Sequence, residues 1–303
     1  MNTPTQNPTS AGFVAVVGAP NVGKSTLINR LVGTKVSIVS PKVQTTRTRV
    51  LGICMSGAAQ VIFIDTPGIF EPRRRLDRAM VAAAWGGASD ADDVLLLVDA
   101  SRGIDSNTRA IIDKLVNSKR RVILAINKVD LVRKDALLEL TSKLSAYDIF
   151  DDLFMISAET GDGVADLLSH LVAQLPESPW LFPEDQVSDM PERLLAAEIT
   201  REKLYLQLRQ ELPYAATVET ETWEDKEDGS VRIGQVIYVQ RDTQKAIVLG
   251  KKGARVKSLG AAARLELESI LGCRVHLFLF VKVREKWGDD PDRYRDWGLD
   301  YNA

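Results

Sequence analysis

Residues Gly18-Ala19-Pro20-Asn21-Val22-Gly23-Lys24-Ser25 fit the spacing GxxxxGK[ST], between the apolar run FVAVVG (13–18) and a helical pattern from Lys24 to Val32. The glycines let backbone N–H groups turn inward around phosphate oxygens, and the helix start adds the positive end of its dipole. In that chemistry Lys24 reaches the β- and γ-phosphates, and the Ser25 hydroxyl, with Thr26 beside it, faces Mg²⁺. A bare glycine-rich turn before a helix would explain the glycines but not the lysine and serine. Further on, IDTPGIF (64–70) places Asp65 at the end of an apolar strand, where it can hold Mg²⁺ through water. Thr66 and Pro67 lead to Gly68, whose N–H can be offered to a γ-phosphate. The next residue is Ile69, which can neither orient water nor share a proton.

Two later strand ends read a base. Asn127-Lys128-Val129-Asp130 follows RVILAIN (121–127), and a buried Asp130 would accept from N1–H and the exocyclic amine of guanine. Adenine lacks that donor pair and would leave the carboxylate unpaired. Ser157-Ala158-Glu159 follows LFMIS (153–157), where the Ala158 N–H would meet guanine O6. Each motif alone is also what an ordinary strand-end turn looks like. In this order, at successive strand ends, they select GTP.

The elements that must position these residues alternate between apolar strands and helices from 13 to 175. The strands are 13–18, VIFID (61–65), DVLLLVD (93–99), 121–127 and 153–157, with helices at Lys24 to Val32 and Val164 to Leu175 among the connections. This is an α/β, doubly wound, mainly parallel sheet, which binds ligands at the carboxyl ends of its strands. Residues 1–12 read as a disordered lead and PESPWLFPEDQVSDMP as a linker over 176–191. A second domain spans 192–303, with a helix at 192–211, strands near 214–224 and 230–240 around a turn at Asp228-Gly229, two helices, and a strand at 274–283. Between those helices lies Gly250-Lys251-Lys252-Gly253. Five basic residues and no acidic one occupy Lys245 to Ser258, Arg255 and Lys257 among them. Val256, Leu259, Ala263, Leu267 and Ile270 then form one apolar helix face. GxxG between helices, in this element order, is the signature of an α+β type II KH fold, which clamps about four nucleotides of backbone. A capped helix–turn–helix with solvated lysines would share the loop.

Composition sets bounds. The chain has 303 residues, 26% charged and 45% hydrophobic, with formal net charge −2, so nucleic-acid affinity would have to come from a local basic patch. Cys54 and Cys273 have no CxxC spacing, which excludes a zinc ribbon or disulfide scaffold and fits a reducing cytoplasm. No apolar run approaches the roughly 18 residues of a membrane span.

The ordered nucleotide motifs resemble those of the TRAFAC GTPases, and Gln44-Thr45-Thr46-Arg47 resembles the first switch of the Era, MnmE and Der branch. That likeness assigns Mg²⁺ to one of the two threonines, Thr46 preferred to Thr45. QRDTQKAIVLGKKGARVKSLG, the later VKVREKW and the single P-loop before a single KH domain closely resemble the Era family over nearly all of the chain after residue 12. The resemblance implies a slow P-loop GTPase using GTP/GDP and Mg²⁺. It implies ribosome assembly as the role and the 3′ region of 16S rRNA and the 30S subunit as partners. It also implies a cytoplasmic monomer with peripheral inner-membrane association. Related GTPases with Asn at the position of Asn21 bind K⁺ beside the phosphates in place of an arginine finger; Arg47 is a weaker finger candidate. Lys24, Thr46, Asp65, Gly68 and Asn21 are thus the catalytic candidates. Two other readings are a nucleotide-gated module with negligible hydrolysis and a GTPase whose C-terminal domain binds protein or membrane. The acidic tail GDDPDRYRDWGLDY departs from a basic C-terminus, and Lys282, Arg284 and Lys286 read equally as solvated strand-end charges.

Overall fold

The computed structural model describes residues 8–42, 45–72, 74–118, 120, 122–208 and 212–303. The chain forms two compact units: 1–37, 46–189 and 297–303 in the first, 38–45 and 190–296 in the second.

In the first unit the elements run β1 (Ser10–Gly18), α1 (Lys24–Val32), β2 (Val50–Ser56), β3 (Ala59–Asp65), α2 (Arg75–Asp90), β4 (Asp93–Asp99), α3 (Ser106–Ser118), β5 (Val122–Asn127), α4 (Lys134–Ser145), β6 (Phe150–Met155) and α5 (Val164–Gln174). The sheet order is β2-β3-β1-β4-β5-β6, parallel except for β2. The order reverses at β1, so a crevice opens at its carboxyl end, where the glycine-rich loop sits. Val14 to Val17 are fully buried, as expected of a central strand covered on both faces.

The strand β2 was not legible in the sequence, and it revises the linker. As an antiparallel edge strand it presents unpaired backbone groups that need cover. The segment read as a linker supplies it. Ile53 N donates to Val187 O at 2.9 Å and Leu51 N to Asp189 Oδ1 at 2.9 Å. Trp180 Nε1 donates to Ala58 O at 2.9 Å. The fully buried Gln60 accepts from Leu181 N and Phe182 N and donates to Phe182 O. Residues 176–189 therefore belong to the first unit. The amino-terminal lead is also shorter than expected: Ser10–Gly12 extend β1, and residues 1–7 lie outside the described residues.

The second unit contains α6 (Glu192–Gln207), β7 (Ala216–Asp225), β8 (Val231–Val239), α7 (Asp242–Leu249), α8 (Ala254–Leu271), β9 (Val275–Val283) and α9 (Pro291–Asp296). Its sheet order is β7-β8-β9, with β8 antiparallel to β7 and parallel to β9. Leu259, Ala263 and Leu267 of α8 are buried, and Val256 and Ile270 pack beside them. The first-switch stretch Ile38–Thr45 also belongs here, which corrects the reading of 13–175 as one continuous domain. Ile38 packs with Ile199, Ile233 and Leu267, and Val39 N donates to Glu202 Oε1 at 2.8 Å. The carboxyl-terminal 297–303 fall in the first unit rather than the second.

Replacing Gln60 with Leu should strip three backbone groups of their partner at one buried point and cost roughly 2–4 kcal/mol in urea unfolding. Limited proteolysis should then cut within 176–189. A loss below about 0.5 kcal/mol with unchanged protection would show that Gln60 does not fasten this segment.

Candidate functional site

The four expected nucleotide motifs meet at the carboxyl edge of the first unit's sheet. Asn127 is the hub. Its Nδ2 donates to Val22 O at 2.7 Å and its Oδ1 accepts from Ala158 N at 2.9 Å. The Ala158 amide expected to face guanine O6 is thus engaged by Asn127, because a buried N–H must be satisfied within the chain. Gly23 has φ 102°, and a Cβ there would stand 2.3 Å from Asn127 Nδ2, so the loop needs glycine at this position. Arg30, which the sequence did not single out, donates from α1 to the carbonyls of Ala158 and Glu159 and braces the base-side loop. Ser157 N bonds Asp162 O at 2.9 Å. Asp130 is exposed, which differs from the buried carboxylate assumed from the sequence.

On the phosphate side, Lys24 is buried, and its Nζ donates to Gly18 O and Ala19 O, both at 3.2 Å. Burial pushes its amine down to about 8, against the opposing charge of Asp65. Asp65 is fully buried. Its Oδ2 accepts from Ser37 Oγ at 2.5 Å, Ser25 Oγ at 2.8 Å and Thr46 Oγ1 at 3.3 Å, and Ser25 and Thr46 lie 3.1 Å apart. Burial raises the Asp65 carboxyl, while Ser37, the charge of Lys24, Ser25 and Thr46 pull it down. Its Oδ1 is buried without a hydrogen-bond partner among the described residues. An orphaned carboxylate oxygen beside two hydroxyls fits a hard divalent cation. Ser37 is a third hydroxyl that the sequence reading missed; Asn29 Oδ1 fixes its amide at 3.0 Å, and no motif marks it.

The two threonines of the first switch separate. Thr46 Oγ1 lies with Ser25 and Asp65, whereas Thr45 Oγ1 bonds Ser40 and Lys42 O, each at 2.7 Å. Gln44 lies outside the described residues, and Arg47 is buried rather than projecting from an open loop. Thr66 Oγ1 anchors on Val16 O at 2.8 Å. After Pro67, Gly68 lies against Pro20, where a Cβ would sit 3.0 Å from the proline Cα. Ile69 is 7% exposed and part of the core, and its amide donates to Gly18 O at 3.1 Å. Its aliphatic side chain therefore anchors this loop in the core, and its amide ties the loop to the end of β1. Asn21, at the crest of the glycine-rich loop, is left-handed (φ 64°), and Thr26 is half-buried beside Ser25.

In the second unit Gly250 and Gly253 take φ 72° and 76° around Lys252, itself left-handed at 51°. A Cβ on Gly250 would lie 2.8 Å from that of Arg255. Lys251, Lys252 and Lys257 are exposed. Arg255 differs from expectation in that its guanidinium donates to Ile247 O, closing the end of α7. Beside the loop, Val256, Gly260, Leu277 and Leu279 line a groove of about 360 Å³ that also takes in Lys257 and Arg264. Periodicity could not show that groove, because its walls come from α8 and β9. Lys282 pairs with Glu221 at 2.9 Å and Arg284 with Asp290 of the acidic tail at 2.8 Å, and both cations remain about half exposed.

Residues 13–128 match a family model described as a 50S ribosome-binding GTPase, and residues 211–288 match a KH domain model. GTPase Era of Rhizobium meliloti (strain 1021) is 60% identical over 294 residues, covering 97% of this chain and 94% of that protein. GTPase Era of Dinoroseobacter shibae is 59% identical over 297 residues, with 97% and 96% covered. The structure of an Era in complex with MgGDPNP and nucleotides 1506–1542 of 16S ribosomal RNA aligns with TM-score 0.91 at 41% identity, over 96% of this chain and 99% of that one. A point variant of Aquifex aeolicus Era bound to GDP·AlF4⁻ aligns with TM-score 0.90 at 41% identity over the same shares. At 60% identity over 97% of its length, with a GTPase and a KH unit in the same order, this chain belongs to the Era family of GTPases.

Proposed function

We propose that this GTPase is a nucleotide-controlled ribosome-assembly factor that binds the 3′ region of 16S rRNA and the 30S subunit through its KH unit. The observation that carries the reading is the alignment, along 96% of the chain, with an Era bound to both MgGDPNP and a 16S rRNA segment. In this reading Gly18 to Thr26 hold the phosphates, Thr66, Pro67 and Gly68 border the γ-phosphate, Lys128 and Asp130 read the base beside Ser157 and Ala158, which Asn127 holds to the phosphate loop, and Ser25, Thr46 and Asp65 hold Mg²⁺. When bound, Mg²⁺ offsets charge on the phosphate oxygens.

The reaction is in-line attack of water on the γ-phosphate. Lys24, already desolvated, meets the negative charge that develops, and the amides of the glycine-rich loop donate to the same oxygens. The Ile69 side chain is in the core and its amide is engaged by Gly18 O, so neither places the water. Placement falls to backbone groups and to the first switch, which makes slow intrinsic turnover the expected behaviour. Asn21 is the proposed K⁺ ligand, supplying beside the phosphates the charge that a finger residue otherwise brings. No described helix is long and apolar enough to cross a membrane, and peripheral inner-membrane association is proposed on the family likeness alone, as are a monomeric state and cytoplasmic work at the small subunit.

Hydrolysis should run roughly fivefold or more faster in K⁺ than in Na⁺, and Asn21→Ala should abolish the difference. Equal rates in both salts, unaltered by the substitution, would remove K⁺ from the mechanism. For the KH unit, Lys251→Asp with Lys252→Asp should weaken binding to a 16S 3′ oligonucleotide at least about tenfold and lower the salt slope by roughly 1.4, the share of two phosphate contacts on a single strand. Intact affinity and slope would leave protein or membrane as the partner of this unit.

A further inference from the structure

Asp99 belongs to none of the motifs that identify the site, yet it is 2% exposed at the end of β4, beside the strand ends that carry the glycine-rich loop and Asn127. Its Oδ2 lies 2.6 Å from Lys128 Nζ and 3.7 Å from Arg102 Nε. Its Oδ1 accepts from Ser101 N and Ser101 Oγ at 2.9 and 2.6 Å, and its own carbonyl accepts from the amides of Arg102 and Gly103. Both cations reach on to the crest of the loop. Lys128 Nζ donates to Asn21 O at 2.7 Å, and Arg102 Nη1 donates to Pro20 O at 3.0 Å. Burial alone would push the Asp99 carboxyl up, but the bonds from Lys128 and Ser101 leave it below the usual range, so it stays ionised between the two cations.

The geometry has a direct consequence for the loop. In a trans peptide the C=O and N–H point in opposite directions. A donor that fixes Pro20 O therefore also aims the Asn21 N–H, and one that fixes Asn21 O aims the Val22 N–H. These are backbone donors of the loop that must face phosphate oxygens. Asn21 also sits in the left-handed region, which costs an ordinary L residue about 1–2 kcal/mol and needs the surroundings to hold it.

We propose that Asp99 is a positioning residue for the phosphate loop: it fixes Lys128 and Arg102 so that the carbonyls of Asn21 and Pro20 are held outward and the loop amides stay aimed at the nucleotide. The proposal rests on the reading of the first unit as the GTP site. It assigns Asp99 no contact with the nucleotide; the carboxylate acts through its cations. It also divides Lys128 between two tasks, because the same residue follows the base-reading Asn127.

The test is the release rate of fluorescent mant-GDP from the full chain. Asp99→Asn keeps the shape and an acceptor for Ser101 but loses the charge, and should speed release about tenfold, as breaking part of a buried charged network does. Lys128→Met should do the same, and the double variant should be no faster than the faster single one. In Asp99→Asn the KM for GTP should rise by a similar factor with kcat within about threefold, and the ratio of GDP to IDP affinity should not move, because the carboxylate acts on the phosphate loop and not on the base. A merely structural role for Asp99 predicts less folded protein whose folded fraction releases mant-GDP at the wild-type rate. That result, or multiplying effects in the double variant, would overturn the proposal. If Asp99→Asn does not fold, Arg102→Ala removes one clamp at a half-exposed side chain and should speed release about threefold; an unchanged rate overturns the clamp as well. A wild-type chain that retains no mant-GDP would instead overturn the GTP site itself, and with it the role given to Asp99.

Discussion

The carboxylate of Asp65 is fully buried at the end of β3, and one of its oxygens gathers hydroxyls from three separate stretches of chain: Ser25 at the start of α1, Ser37 beyond its end and Thr46 before β2. An ionised carboxylate in such surroundings costs several kcal/mol unless charge or hydrogen bonds offset it. The hydroxyls provide for Oδ2, and Oδ1 has no partner among the described residues. The charge of Lys24 also faces this carboxylate, and the free oxygen beside two hydroxyls has the chemistry that suits a divalent cation. Ser37 and Thr46 flank the stretch Ile38–Thr45, which falls in the second unit.

The rest of the nucleotide site follows the same rule, in which buried polar groups are bonded to one another across strand ends. Asn127 joins the phosphate loop to the base-side loop, Arg30 braces that loop from behind, and Asp99 draws Lys128 and Arg102 onto the carbonyls of Pro20 and Asn21. Ile69 fits this pattern. An aliphatic residue at that place looks like a missing catalytic group until its burial is seen; it pins the loop after Asp65 against Gly18, and the placement of water is left to other parts of the site.

The glycine-rich loop, the strand-end motifs and the GxxG turn were legible because each is local: fixed residue types at fixed offsets, flanked by one strand and one helix. What escaped the sequence is long-range. The strand β2 has no alternation strong enough to mark it and exists because β3 and residues 176–189 flank it. The same prolines and acids that made 176–191 read as a linker are compatible with lying along an edge, and only Gln60, far away in sequence, shows that they do. Thr46 could not be separated from Thr45 until Asp65 and Ser25 were brought beside it. Ser37 and Asp99 sit in no motif at all, since their roles depend on which strand ends lie side by side. In the KH unit the lysines of the loop were readable, whereas the capping role of Arg255 and the groove between α8 and β9 needed the fold.

A buried Asp65 carboxylate that holds a divalent cation together with Ser25 and Thr46 should make nucleotide retention depend on that cation. The most direct measurement is the release rate of mant-GTP with Mg²⁺ and after chelation, in the wild type and in Asp65→Asn. Chelation should speed release from the wild type at least about tenfold, and Asp65→Asn should release fast from the outset with no response to Mg²⁺. An Asp65→Asn protein that keeps wild-type retention and wild-type Mg²⁺ dependence would contradict this role of Asp65.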